Sequence, residues 1–420
     1  MRCLSKSALL VAGMMFVPAA HAAADADADA LGLADTASAT VTVPSNWRGS
    51  FELAAANYNA ANQAGRVELN DTVRAASSLS YDGALFPGWR AVLSNRFDTG
   101  WRDANGKYNA VDTLKQAYIS WQPTQSTIVD AGRINLREGV ASGFNPTDFF
   151  KADAIRSIVS IDPASLRENR LGSVMLRGQL LWAGGSLSAL VSPRLAASSS
   201  DGTFSPDFGA TNRQWRYLIS GTQRLFGRFS PQWLVYGGTD IPPQFGVNAT
   251  ALLDDATVFF VEYAGGRGKA LADAPSAGNS FHSRLATGAT RTFPGKVSAT
   301  LEYDYDGLGA NRATWNALAM DPARYGAYRE AATQARELTT RNSVFSYVTW
   351  QDAFVLDLDV TLMGRYDLVD NSFFAWIEAR YHWPRADFAV QWQADHGGSH
   401  SAFGAASQSN ILQAIVTFYF

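Results

Sequence analysis

From Trp47 onward, apolar residues recur at every second position rather than every third or fourth. Between Gly88 and Trp101, one alternate set holds Trp89, Ala91, Leu93 and Phe97. The other holds Arg90, Ser94, Arg96 and Asp98. Val297, Ala299, Leu301, Tyr303 and Tyr305 alternate with Ser298, Thr300, Glu302, Asp304 and Asp306. Leu356, Leu358, Val360 and Leu362 alternate with Asp357, Asp359 and Thr361. Phe373, Ala375, Ile377, Ala379, Tyr381 and Trp383 alternate with Glu378, Arg380 and His382. A period of two marks strands with one face toward apolar surroundings and one toward water.

A soluble β-sandwich also alternates, but three features point elsewhere. The strands are long, whereas those of globular sheets peak near 5 to 6 residues. Aromatic residues gather toward strand ends, as at Trp89, Trp101, Trp121, Tyr381 and Trp383, where a membrane barrel carries its girdles. Short and long connections alternate. The spacing predicts strands at 47–59, 66–81, 88–101, 111–122, 126–134, 170–182, 185–192, 213–225 and 228–238. It predicts nine more at 244–252, 256–264, 281–293, 296–306, 340–351, 353–366, 372–384, 386–396 and 410–420. Every second connection is short, such as the F-P-G, P-T-Q, P-G, Q-D and P-R segments, while 135–169, 193–212, 265–280, 307–339 and 397–409 are long. The fold class expected is therefore all-β: a transmembrane, antiparallel, up-and-down β-barrel of about 18 strands, a count fixed to within about two so that 16 stays open. Hydrocarbon offers no hydrogen-bond partners, so such strands must close on themselves. Both termini then fall at the short-turn end, expected to be periplasmic.

Composition narrows this further. Across 420 residues the formal net charge is -3, too close to neutral for a nucleic-acid partner. Mean hydropathy is -0.11, and the sole long apolar run lies at the N-terminus. Arg2 and Lys6, the apolar Ala8–Val17 and the small-x-small Ala20-His21-Ala22 have the layout of a secretory signal peptide over 1–22. Residues 23–46, opening A-A-D-A-D-A-D-A, are expected to be a flexible periplasmic lead-in. The barrel would occupy 47–420. The single cysteine, Cys3, lies in the leader, which leaves no thiol for disulfides or metal in the processed chain. No cofactor or metal is expected.

The last ten residues, I-L-Q-A-I-V-T-F-Y-F, run Leu412, Ala414, Val416, Phe418 and Phe420 along one apolar face. This segment resembles the C-terminal signature of Gram-negative outer-membrane porins. The resemblance implies insertion among outer-membrane lipids, recognition of Phe418 and Phe420 by the outer-membrane assembly machinery, passive passage of small solutes and a homotrimeric state. A second stretch, Gly132-Arg133, then Asn145-Pro146-x-Asp148, then Leu166-Arg167-Glu168, is similar to porin-like proteobacterial barrels of unassigned function, although the Trp-Gly pair typical of those is absent.

The segment 135–169 is too long for a plain connection, and it mixes Phe144, Phe149, Phe150, Ile155, Ile158 and Ile161 with charges. Folded into the lumen, it would cover its apolar residues and line a constriction with Asp148, Lys151, Asp153, Arg156, Arg167 and Glu168. Folded outward, it would be a flap or a subunit contact. The wall facing an inward loop would carry Arg90, Arg96, Arg177, Glu302, Arg365, Glu378 and Arg380. For any one of these the plainer reading is a wall salt bridge. The Ala-rich stretch within 307–339 predicts one or two short helices. Asp395-His396, Ser399, His400 and Ser401 form a Gly/Ser-rich loop of ordinary composition, so hydrolase chemistry is not expected. Gly265-Gly266-Arg267-Gly268 reads as loop. The second functional reading is a barrel for export or uptake of a hydrophobic or carbohydrate substrate with a periplasmic or inner-membrane partner. Inward-facing Tyr118 and Trp376 would favour it.

Overall fold

Long alternating strands satisfy their backbone by pairing on both edges, and here the pairing runs full circle. The computed structural model describes residues 46–61, 67–102, 108–158, 160–227, 229–273, 276–406 and 408–420. The expected leader and nearly all of the 23–46 lead-in lie outside the described residues. The strands are β1 (Trp47–Ala61), β2 (Val67–Phe86), β3 (Trp89–Arg102), β4 (Tyr108–Thr124), β5 (Thr127–Ile134), β6 (Ser173–Trp182), β7 (Gly185–Ser192), β8 (Arg216–Gln223) and β9 (Gln232–Gly238). They continue as β10 (Ile241–Asp254), β11 (Thr257–Gly268), β12 (Ser280–Phe293), β13 (Val297–Asp306), β14 (Asn342–Trp350), β15 (Leu358–Asp367), β16 (Phe373–Trp383), β17 (Ala386–His396) and β18 (Gln408–Tyr419). Each strand pairs antiparallel with its sequence neighbours. β18 closes on β1, from Ser50 opposite Tyr419 to Ala60 opposite Gln408. The last backbone bonds of the seam are Gly49 N–H to the Phe420 carbonyl at 2.9 Å and Phe420 N–H to the Gly49 carbonyl at 3.0 Å. The pairing of β18 with β1 removes both sheet edges.

The two faces sort as the alternation requires. Outward side chains are apolar and exposed, among them Phe51, Leu53, Leu301, Leu362 and Leu412. At the short-turn end the outward aromatics form a girdle, in which Trp47 packs on Tyr81 (4.8 Å between centroids) and Trp89 stacks on Trp121 (5.6 Å). Phe245, Tyr263 and Phe281 cluster toward the long-loop end, with centroids 5.7 and 6.3 Å apart. Two aromatic girdles around an apolar band are the dress of a wall standing in hydrocarbon.

Three local expectations need correcting. β15 begins at Leu358, not 353. Residues 351–357 are a turn with left-handed Asp352, Phe354 and Asp357 (φ 51, 64 or 65°), so Leu356 belongs to no alternating face. The apolar V-L there mimicked strand periodicity. Gly265–Gly268 are the end of β11, paired with Ser280–Ser283 of β12, because glycine is as able to extend as to turn. Asp304 and Asp306, expected in a wet lumen, do face inward, yet both are fully buried. The predicted helices are present at Arg312–Ala319 and Pro322–Ala335, capped by Asn311 and Asp321, whose side chains accept the Thr314 and Arg324 N–H groups.

Candidate functional site

The segment after β5 enters the barrel and packs on its inner wall. Leu136, Phe149 and Phe150 join inward-facing Met175, Leu190, Leu218, Leu234 and Tyr236 of β6–β9 in one apolar cluster. Phe149 stacks on Tyr236 at 4.5 Å. Ala141 and Phe144 pack on Phe260 and Ala286, and Ile161 packs by Phe345, Met363 and Trp376. An apolar lumen face on β6–β9 is thus the seat of the loop.

Two wall carboxylates hold the loop backbone. Glu262 on β11 accepts the N–H groups of Val140 (2.8 Å), Ala141 (3.0 Å) and Thr147 (2.8 Å), and the Thr147 hydroxyl (2.8 Å). Glu302 on β13 accepts those of Ser142 (2.9 Å), Gly143 (3.1 Å) and Phe144 (2.8 Å). Both side chains are fully shielded, at 0% and 1% exposure. Successive N–H groups turned to one carboxylate form an anion-binding concavity, with the anion here supplied by the wall. Glycine is required at two points. Gly139 has φ +99° and a Cβ there would lie 2.6 Å from a Glu262 oxygen. A Cβ on Gly143 would meet Phe345 at 2.4 Å.

Most of the expected constriction charges serve this same docking. Asp148 is buried and paired with Arg170 at 2.6 Å. Lys151 is buried between the Asn145 carbonyl (3.0 Å) and Glu337 (3.2 Å), which also binds Arg284 at 2.9 Å. Asp153 lies 3.6 Å from Arg213. Arg156 donates to the carbonyls of Asp112, Ser205, Ser200 and Gly202 at 2.6 to 3.4 Å, which straps the 200–206 segment to the upper half of β4. Arg167 donates to the Ala141 carbonyl at 2.6 Å. Of the six, Glu168 presents most surface, 68%, while bound to Lys115 at 3.3 Å. Arg133, after Gly132, holds the Gly172 and Pro206 carbonyls at 3.1 and 2.5 Å.

All seven wall residues lie on inward faces, with different fates. Glu302 is covered by the loop. Arg96 is buried between Glu52 (3.1 Å) and Asp98 (3.0 Å). Arg365 donates to the Gly143 carbonyl at 2.5 Å and lies over the Phe345 ring. Arg177 binds Asp130 at 2.8 Å. Arg90 binds Asp82 near the short-turn end, with half its side chain exposed. Glu378 pairs with Arg380 at 2.9 Å, and Arg380 lies 3.6 Å from Asp387. Tyr118 and Trp376 both point inward, but into wall–loop packing rather than along an open track.

Beneath the loop, at the short-turn end, a cavity of about 230 Å³ separates the helix Pro163–Glu168 from the wall of β14–β16. Its roof is fixed by Asp162, which caps that helix by accepting the Ser165 N–H at 2.9 Å and accepts the Tyr347 hydroxyl at 2.8 Å. Burial raises the Asp162 carboxyl, partly countered by those two donors. Higher in the loop, burial pushes Glu138 up to about 7, with the Gln232 amide donating to it at 2.9 Å.

Sequence reading missed Glu262, Lys115 and Arg137, the last an exposed cation on the loop. The inward parity of β11 places Glu262, but only three-dimensional proximity shows which N–H groups it receives. In the His396–His400 segment, His396 stacks on Phe373 at 4.9 Å and Ser399 bonds its neighbour His400 at 3.1 Å.

The fold has known counterparts. Acinetobacter baumannii OccAB1 is 10% identical with a TM-score of 0.54, covering 89% of this chain and 96% of that one. Acinetobacter baumannii OccAB3 is 8% identical with a TM-score of 0.51, covering 89% and 99%. The sequence matches no protein-family model and no curated protein. Fold and site together define a transmembrane β-barrel whose lumen is narrowed by a loop docked on its own wall.

Proposed function

We propose that the protein is an outer-membrane channel for passive diffusion of small hydrophilic solutes. The observation that carries this is the pairing of an apolar outer wall with a charged inner wall on which the loop is anchored. A barrel built only for structure has no use for inward Arg90, Arg177 and Arg380 in contact with water. Exposed Arg137, Lys115-bound Glu168 and Arg90 are the groups that meet passing solutes on this reading, and the short-turn end faces the periplasm. The resemblance of the C-terminal strand supports outer-membrane lipids and the assembly machinery as partners, and a trimer belongs to the same proposal. The inward aromatics that would favour a greasy export track are instead occupied by packing. Swelling of proteoliposomes tests the reading: small sugars and amino acids should enter at rates falling steeply with size. Impermeability to all of them overturns it.

A further inference from the structure

The cavity beneath the loop has a composition that plain restriction of the pore does not require. Three of its four lining carboxylates are charge-paired, one of them to cations that stand outside the lining. Glu52 is held by Arg74 (3.5 Å) and Arg96 (3.1 Å), Glu378 by Arg380 (2.9 Å), and Asp359 by His382 (3.4 Å). A carboxylate offers about four lone-pair sites and a guanidinium five N–H groups, so pairing leaves hydrogen-bonding capacity facing the cavity. Asp162 alone of the lining carboxylates has no ion pair among the described residues, and it is met by the Ser165 N–H and the Tyr347 hydroxyl, so an ion entering there would lose hydration for little free counter-charge.

We propose that this cavity is a binding subsite for a neutral polyhydroxylated solute of monosaccharide size. The proposal deepens the channel reading and rests on it for its physiological meaning. Hydroxyl groups both donate and accept, which suits a surface where Glu378 and Asp162 oxygens alternate with Arg380 and His382 nitrogens. Tyr347, half-buried at the cavity edge, supplies apolar ring surface for the C–H face of such a solute, while Trp376 behind it is held in the wall–loop packing. The volume, about 230 Å³, lies below the range of drug-sized pockets, about 300–1,000 Å³, so the occupant is small. The site exists only because the loop docks, since Ser160, Asp162, Ala164 and Ser165 come from the loop and the rest from the wall.

The test is equilibrium binding to the full-length processed barrel in detergent, by calorimetry and by quenching of tryptophan fluorescence. D-glucose, spermidine and gluconate serve as neutral, cationic and anionic probes. D-glucose should bind at one site, with the charged probes at least tenfold weaker. Glu378→Gln should weaken glucose about tenfold, and Thr361→Trp, which fills the cavity from β15, should abolish it. Heat-modifiable gel migration verifies that each variant is a folded barrel. Tighter binding of spermidine or gluconate, or equal glucose binding by the Thr361→Trp barrel, overturns the proposal. So does the absence of glucose binding in a barrel that passes solutes in the swelling assay, and that result leaves the channel reading standing. Glucose binding by a barrel that passes nothing would reject the channel reading and keep the subsite.

Discussion

At the scale of single residues, the interior is governed by carboxylates that serve as backbone acceptors. Glu262 and Glu302 each collect three loop N–H groups, and hydrogen bonds to a charged group contribute about 1.5–3 kcal/mol apiece. Removing one such acceptor leaves buried donors unmet, which costs more than the mean bond is worth. Glu138 adds a pH dependence. Burial pushes its carboxyl up to about 7, above the ordinary glutamate value of 4.5, so the docked loop holds the proton more tightly than the undocked one. Docking is therefore strongest below about pH 4.5, weakens as pH rises toward 7, and is flat above that, by about 3 kcal/mol across the window. Loop proteolysis at pH 8 should exceed that at pH 5, and Glu138→Gln should flatten the difference. Equal cleavage at both pH values in the unaltered protein would contradict this.

At the scale of elements, the long connections act as fitted parts. The upper half of β4 extends beyond its pairing with β5, which begins at Ala117 opposite Arg133. That stretch is covered instead by Thr203, whose carbonyl accepts the Asp112 N–H at 2.8 Å, and by Gly172, whose N–H bonds Lys115 at 3.1 Å. Arg156 fastens this cover by its carbonyl bonds. Arg156→Ala should raise amide hydrogen exchange at Asp112 and through 200–206 by an order of magnitude or more, with little change in β10–β13. Unchanged exchange at Asp112 would remove Arg156 from that role. The strands themselves were legible in the sequence, because hydrocarbon outside and water inside enforce a period of two over long runs. The path of the loop was only half legible: Phe144, Phe149 and Phe150 needed cover, but an inward fold and an outward flap both offered it. The destinations of its charges were not. Asp148 and Lys151 look like pore lining in a linear reading, and only the fold brings Arg170 and Glu337 to them. The β15 start was misplaced because Phe354, Val355 and Leu356 continue the apolar pattern into a turn.

At the scale of the whole molecule, closure and the apolar belt set stability. Leu301, at mid-height on β13, is 62% exposed on the outward face. Leu301→Arg should destabilise the barrel by about 2–4 kcal/mol in bilayers, read by denaturant unfolding; a loss under 0.5 kcal/mol would mean that this face does not meet lipid. The central claim is that a wall-tethered loop narrows a water-filled barrel. Single-channel conductance in planar bilayers, comparing the unaltered protein with Glu302→Gln, tests it most directly. The tether predicts small, steady steps in the unaltered barrel and larger, noisier steps once one of the two Glu302 oxygens shared by the Ser142, Gly143 and Phe144 N–H groups is replaced by an amide donor. Identical steps in both proteins, or no ion-conducting steps in either, would contradict it.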